Sequence, residues 1–117
     1  MDYQKIATET IQAVRHYTAK EDEEYGGEVL AERLTSALEE GGVDLETKEY
    51  LEGAWYGAPD DILVALIQAM IQDSAMKEED DPGVSRVKYD LHNALYEVNP
   101  HLEESHPEFW QHAMGVL

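Results

Sequence analysis

The chain has 117 residues, of which 43% are hydrophobic, and this length is typical of one domain with one core. Its 26 acidic and 8 basic residues give a formal net charge of -18, and such a surface repels DNA, RNA and anionic lipid. The absence of cysteine excludes disulfides, thiolate metal sites and a cysteine nucleophile, and it fits a reducing setting.

Neither an export signal nor a transmembrane segment is predicted. The first residues lack a basic stretch followed by an apolar run. The longest apolar stretch, from Ile62 to Ile71, is too short to span a bilayer. We therefore expect a cytoplasmic protein that forms a single acidic domain over residues 1–117.

Helical spacing of apolar side chains predicts a first helix from Tyr3 to Tyr17. Residues 21–27 have the sequence EDEEYGG, which predicts a charged turn because two adjacent glycines interrupt regular structure. A second amphipathic helix is predicted over residues 29–38. The pair Gly41-Gly42 then supplies the left-handed residue that commonly ends a helix.

Asp44 is a suitable N-cap for a third helix, which Gly57 ends. Pro59 is predicted in the first turn of a fourth helix, where Asp60 and Asp61 interact favourably with the helix dipole. Residues 62–71 of this helix are apolar on nearly every side. This pattern predicts a central buried helix or an oligomer interface.

The last part of the chain predicts a charged loop over residues 77–83 and a fifth helix over residues 84–98. This helix stops at Asn99, because the following proline disfavours helical backbone angles in the residue before it. Ser105 and Glu108 form an S-x-x-E capping box ahead of a sixth helix. The expected fold is all-α, a compact bundle of about five to six helices around a central apolar helix.

Negative charge is concentrated around the second and third predicted helices. Residues 21–60 contain thirteen acidic residues and two basic residues. Carboxylates three or four residues apart on a helix lie roughly 5 to 6 Å apart and repel each other, which costs helix stability. A row of carboxylates without basic residues between them is therefore typical of a surface selected for its negative electrostatic field. The candidate partner-binding residues are Glu21, Asp22, Glu23, Glu24, Glu28, Glu32, Glu46, Glu49 and Glu52.

These carboxylates are interpreted as substitutes for phosphates, presented to the groove in which a basic protein holds DNA or RNA. Nearby aromatic rings are available to stack there as bases do. Two other interpretations stay open: a solvated helix face with core aromatics behind it, and acidity that adapts the protein to high salt. The rings in question are those of Tyr25, Tyr50, Trp55 and Tyr56.

No motif for catalysis or cofactor binding is found. Phosphate-binding loops, hydrolase elbows and the zincin motif are missing from the sequence. Asp73 is expected to end the apolar face of the fourth helix and not to transfer protons. We expect no enzyme activity, no cofactor and no metal. The densest group of possible metal ligands still has a spacing that matches no known ligand pattern. It consists of His92, His101, His106 and His112 with Glu103, Glu104 and Glu108.

Three short blocks of the sequence resemble the middle of the Ocr family of phage antirestriction proteins. Members of that family are small, acidic, helical dimers that mimic bent B-form DNA and occupy the DNA groove of type I restriction enzymes. The resemblance implies an anti-defence function, with α-helices and carboxylates taking the place of DNA. The blocks are Gly42-Val43-Asp44-Leu45-Glu46, Pro59-Asp60-Asp61-Ile62 and Leu66-Ile67-Gln68-Ala69 with Ile71.

The leading hypothesis is a phage or mobile-element inhibitor that mimics nucleic acid and occupies the DNA- or RNA-binding surface of a basic host protein. The partner is expected to be of the restriction, CRISPR or nucleoid type, without direct contact to nucleic acid or membrane. The alternative is a helical protein–protein interaction module, such as an immunity protein or a regulatory adaptor. It would bind through Trp55, Tyr56, Phe109 and Trp110. The apolar surface of the fourth and last helices is also compatible with a homodimer.

Overall fold

The computed structural model describes residues 1–20, 23–43 and 58–117, and the side chains of residues 1–18, 29–43 and 58–117. Within these ranges the chain forms six α-helices and no β-strand, which confirms the predicted all-α bundle. The third predicted helix lies outside the described residues. The helices are α1 (Tyr3–Lys20), α2 (Glu23–Glu40), α3 (Asp60–Gln72), α4 (Pro82–Asn93), α5 (Leu102–Ser105) and α6 (Pro107–Val116).

Helix α1 lies against three others, α2, α3 and α4. Its apolar residues Ala7, Ile11 and Val14 are fully buried, because the spacing of three to four residues places them on one side of the helix. α2 also contacts α4, and α3 also contacts α6. The largest fully buried side chains are Ile11, Leu30, Leu34, Leu38, Leu63, Leu66, Ile67, Met70, Leu91, Leu95 and Leu102.

Helix α2 begins earlier than predicted. The sequence indicated a turn over residues 21–27, but the helix starts at Glu23 and includes Gly26 and Gly27. Each glycine in a helix costs about 0.5–1 kcal/mol relative to alanine. Burial of Leu30, Leu34 and Leu38 outweighs that cost, since a fully buried leucine contributes about 1.5–3 kcal/mol.

The predicted end of α2 at the second glycine pair is confirmed. Gly42 has a φ of 89°, in the left-handed region. The N–H of Val43 donates to the carbonyl of Leu38 (2.9 Å), and the N–H of Gly42 donates to the carbonyl of Glu39 (3.0 Å). This is the Schellman arrangement, and it satisfies carbonyls that the helix end leaves without a partner.

Helix α3 follows Pro59, which is the N-cap and not a first-turn residue. Asp60 and Asp61 lie in the first turn, as predicted. The helix ends at Gln72, and the carboxylate of its C-cap, Asp73, accepts hydrogen bonds from the N–H of Ala75 (3.0 Å) and from Oγ1 of Thr8 on α1 (2.6 Å). Asp73 therefore terminates the apolar face, as expected, and begins a short 3₁₀ turn at residues 74–77.

Helix α4 begins at Pro82, within the segment predicted as a loop. The carboxylate of Asp81 caps it by accepting hydrogen bonds from the N–H groups of Gly83 (2.8 Å) and Val84 (3.2 Å). A π-helical turn at residues 94–98 follows α4, and Asn99 caps this turn, since its backbone N–H and its Nδ2 both donate to the carbonyl of Ala94 (3.1 and 3.0 Å). The predicted stop at Asn99 is confirmed.

The predicted capping box of the last helix is wrong. Ser105 ends the short helix α5, and the N-cap of α6 is His106, which makes no capping hydrogen bond through its side chain. Pro107 occupies the first helical position, where its fixed φ is compatible with a helix start. Ser105 instead places its Oγ 2.9 Å from Nδ1 of His106. In the described part of the chain, no helix has the length and apolar character needed to cross a membrane.

Candidate functional site

The predicted partner-binding carboxylates are distributed between α2 and residues outside the described ranges. Glu32 lies on α2 and its side chain is exposed. The backbones of Glu23, Glu24 and Glu28 belong to the same helix, although the sequence had divided these residues between a turn and a helix. The other predicted residues, Glu21, Asp22, Glu46, Glu49 and Glu52, lie outside the described residues.

Two adjoining depressions, of about 230 and 140 Å³, lie between α1 and α2. Arg33 and Ser36 line both of them, and we treat the two neighbouring depressions as one cleft. Glu32 lines one part of this cleft, and Glu9 and Glu40 line the other. We call this feature the acidic cleft, defined by Glu9, Glu32, Arg33, Ser36 and Glu40.

The acidic cleft is negative and open to solvent. Glu9, Glu32 and Glu40 are all exposed. Among the described side chains, no ion pair joins Arg33 to a carboxylate. Glu32 and Glu40 are eight residues apart on α2, which corresponds to about 12 Å along the helix axis. The cleft therefore presents separated, hydrated carboxylates that attract a basic surface from a distance of about 10 Å at 0.1 M salt.

Exposed carboxylates also occur at two other places. Glu78, Glu79 and Asp80 lie between the 3₁₀ turn and α4, and a second group lies at α5 and the start of α6. Two of the basic side chains in the described part are already engaged, Arg15 with Asp81 and Arg86 with Asp90. The second acidic group, which is useful as an experimental control, consists of Glu103, Glu104 and Glu108.

The four C-terminal histidines do not converge on one point. His101 Nε2 lies 2.9 Å from Oδ1 of Asp60, His92 stacks on Tyr96, and His106 contacts Ser105. The side chains that the structure describes include no group of three or more His, Cys, Asp or Glu residues able to hold a metal ion. His92, His101 and His106 therefore make separate local contacts.

Phe109 and Trp110, the C-terminal aromatic residues of the alternative hypothesis, are buried in the core, at 6% and 8% exposure. This placement corrects the expectation that they are available as binding anchors. The aromatic side chains that the structure exposes are Tyr89 and Tyr96, at 58% and 63%. The sequence reading missed them, although the buried residues of α4 and of the π-helical turn after it leave positions 89 and 96 facing outward. Trp55 and Tyr56 lie outside the described residues.

The Ocr-like block at Leu66 and Ile67 belongs to the buried side of α3, so packing alone requires apolar residues at these positions. Comparison of the chain with protein-family models, curated proteins and solved structures gave no match. The surface of the protein itself is therefore the source of information about its function.

Proposed function

We propose that the protein is an inhibitor that binds a basic protein and occupies the surface on which that partner holds DNA or RNA. The observation that carries this proposal is the acidic cleft, in which Glu9, Glu32 and Glu40 are exposed on a chain of net charge -18. A protein surface built to hold a polyanion is the surface that such a field attracts most strongly.

The spacing of the carboxylates indicates how such a mimic works. Double-stranded DNA carries about one negative charge per 1.7 Å of its axis, whereas one carboxylate per helical turn is one per about 5.4 Å. A single helix therefore cannot reproduce the charge density of DNA. We infer that the α2 carboxylates act together with Glu46, Glu49 and Glu52, because two acidic segments come closer to the charge density of DNA than one does.

The class of partner follows from the same chemistry. Restriction enzymes, CRISPR effectors and nucleoid proteins all present basic nucleic-acid grooves, and the resemblance to Ocr proteins favours an anti-defence inhibitor encoded by a phage or mobile element. We further infer that the protein binds without catalysing a reaction. In support, the cleft between α1 and α2 is open, and its three carboxylates are exposed to solvent.

One observation favours the adaptor as the second candidate. Tyr89 and Tyr96 are large and exposed, and tyrosine is enriched among the residues that dominate protein–protein binding. An adaptor would bind through these two rings instead of Phe109 and Trp110. Alanine at Tyr89 and Tyr96 would then weaken binding more than removal of the cleft carboxylates.

The test is capture of partners from a bacterial lysate on the immobilised protein, with washes at low and moderate salt and identification by mass spectrometry. We expect a DNA- or RNA-handling protein that elutes with salt and that free DNA displaces. The proposal is contradicted if the captured partner resists both salt and DNA.

A pair of charge variants localises the binding surface. Changing Glu9, Glu32 and Glu40 to glutamine removes three formal charges from the acidic cleft. The matched control removes three charges elsewhere, at Glu103, Glu104 and Glu108. We expect the cleft variant to lose at least tenfold in affinity and the control to lose much less. Equal losses would assign the effect to net charge and exclude the cleft as the site.

A further inference from the structure

A cavity of about 450 Å³ lies where α3, the 3₁₀ turn, α4 and α6 meet. It shares no lining residue with the acidic cleft. Its volume falls within the range of about 300–1,000 Å³ that is usual for small-molecule sites. Its apolar lining consists of Ile71, Met76, Val116 and Leu117. The cavity therefore offers an apolar surface to a small molecule.

Backbone hydrogen bonds and burial hold two walls of this cavity in place. The N–H of Glu78 donates to the carbonyl of Ala75 (3.0 Å) and closes the 3₁₀ turn, while the Met76 side chain is buried in the core. At the end of α6, the N–H of Leu117 donates to the carbonyl of Ala113 (2.9 Å). A ligand that enters a cavity with ordered walls loses little free energy to the ordering of the protein.

Two lysines also line the cavity. Lys77 lies in the 3₁₀ turn and is exposed, and Lys88 lies on α4 and is half-buried. Among the described side chains, no ion pair engages either lysine, whereas Arg15 and Arg86 are both paired with aspartates. In a chain with 26 acidic and 8 basic residues, two such lysines at one cavity are a local reversal of the overall charge.

The acidic groups at the cavity do not neutralise these lysines by direct contact. In the part of the chain that the structure describes, neither Glu79 nor the main-chain carboxylate of Leu117 forms an ion pair with them. The field of more distant carboxylates is screened within about 8 Å at physiological salt. Both ammonium groups therefore keep their hydrogen-bonding capacity for an anion.

We propose that this cavity binds a small carboxylate that carries an apolar chain, such as a medium-chain fatty acid. The carboxylate of the ligand pairs with Lys77 and Lys88, and its chain lies against the apolar lining. A neutral apolar molecule would leave the ammonium groups without a partner, and an inorganic anion would leave the apolar surface uncovered. This site goes beyond the proposed function, which involves the acidic cleft and a basic protein.

The experiment is an NMR titration of the isotopically labelled protein with octanoate. We expect saturable shift changes at Lys77, Lys88 and Val116. Butanoate should bind at least tenfold more weakly, because each buried methylene contributes about fourfold in affinity. Octylammonium, which has the same chain length and the opposite charge, should give no saturable change at these residues. The absence of shifts with octanoate, or equal binding of octanoate and octylammonium, would overturn the site.

Three single-charge variants test the contribution of the lysines. Lys88→Gln should lower the affinity for octanoate about fivefold, the upper end for an ion pair at a partly exposed site. The control Lys5→Gln, an exposed position on α1 outside the cavity, should change it by less than about twofold. Glu79→Gln should raise the affinity, because it removes a like charge from the lining. Equal losses in Lys88→Gln and Lys5→Gln would contradict the proposal.

The octanoate titration and the lysate capture give independent results. The variant that changes Glu9, Glu32 and Glu40 to glutamine should bind octanoate like the unchanged protein, since these residues lie outside the cavity. Loss of octanoate binding in Lys88→Gln with unchanged partner capture would support two separate sites. Loss of octanoate binding in the acidic-cleft variant would contradict the assignment of the ligand to this cavity.

Discussion

Nε of Arg15 on α1 donates a 2.9 Å hydrogen bond to Oδ2 of Asp81, the residue that caps α4 with its other carboxylate oxygen. One carboxylate therefore starts a helix and joins it to its neighbour. Burial raises the pKa of Asp81, but hydrogen bonds from Arg15 and from the N–H groups of Val84 and Gly83 outweigh this effect. The net result is a pKa below the usual range for aspartate.

Loss of this carboxylate should destabilise the fold. We expect Asp81→Ala to lower the free energy of unfolding by about 1–2 kcal/mol, because it removes both the cap and the ion pair. Asp81→Asn keeps a capping oxygen and should cost less. Urea unfolding at neutral pH measures both effects. The control is Arg15→Gln, which removes the ion pair and leaves the cap.

The lowered pKa also predicts how this effect depends on pH. A carboxyl group whose pKa is lower in the folded state contributes stability above its unfolded pKa of about 3.9. That contribution disappears as the pH falls through the folded pKa. We therefore expect the difference in stability between the unchanged protein and Asp81→Asn to shrink below about pH 4. A difference that stays constant down to pH 2 would contradict the assignment.

Close contact between α1 and α4 makes Gly83 sensitive to substitution. A Cβ atom at Gly83 would lie 2.5 Å from Cα of Arg15, which is backbone and cannot rotate away. We expect Gly83→Ala to cost about 1–3 kcal/mol, the usual cost of overpacking. Gly115→Ala is the matched control, because nothing lies within 4 Å of its added Cβ. Thermal unfolding of both variants is the measurement, and equal melting temperatures would exclude the contact.

Apolar spacing predicted α1, α3 and α4 well, because burial of one helix side produces that spacing directly. It did not predict where α2 begins, since the local preference of Gly26 and Gly27 is weaker than the burial of Leu30 and Leu34. The capping motif at Ser105 failed for a similar reason, because Pro107 sets the start of α6 one residue later than the motif requires.

The candidate sites were less accessible to sequence reasoning than the fold. An aromatic residue at a helical spacing looks the same whether it faces the core or a partner, so the burial of Phe109 and Trp110 became visible only in the packed structure. The cavity beside Lys77 and Lys88 exists only because α3, α4 and α6 meet there, which the spacing within each helix does not specify. Glu9 joins the acidic cleft only because α1 packs on α2.

Alanine substitution in the two glycine pairs should change the free energy of unfolding in opposite directions. Gly26 lies inside α2, so Gly26→Ala should stabilise the protein by about 0.5–1 kcal/mol. Gly42 has a φ of 89° and open space around it, so Gly42→Ala should destabilise by about 1–2 kcal/mol through backbone strain alone. Urea unfolding measures both. Destabilisation by Gly26→Ala would favour the turn that the sequence predicted.

Burial of Trp110 predicts that its removal affects folding before it affects binding. We expect Trp110→Ala to lower the free energy of unfolding by about 3–5 kcal/mol, because the side chain is 8% exposed and packs in the core. Tyr96→Ala, which changes a ring that is 63% exposed but stacked on His92 and Trp110, should cost less, about 0.5–1.5 kcal/mol. Circular dichroism during urea unfolding compares the two variants. A Trp110→Ala variant that folds as stably as the unchanged protein but fails to bind its partner would restore Trp110 as a binding anchor.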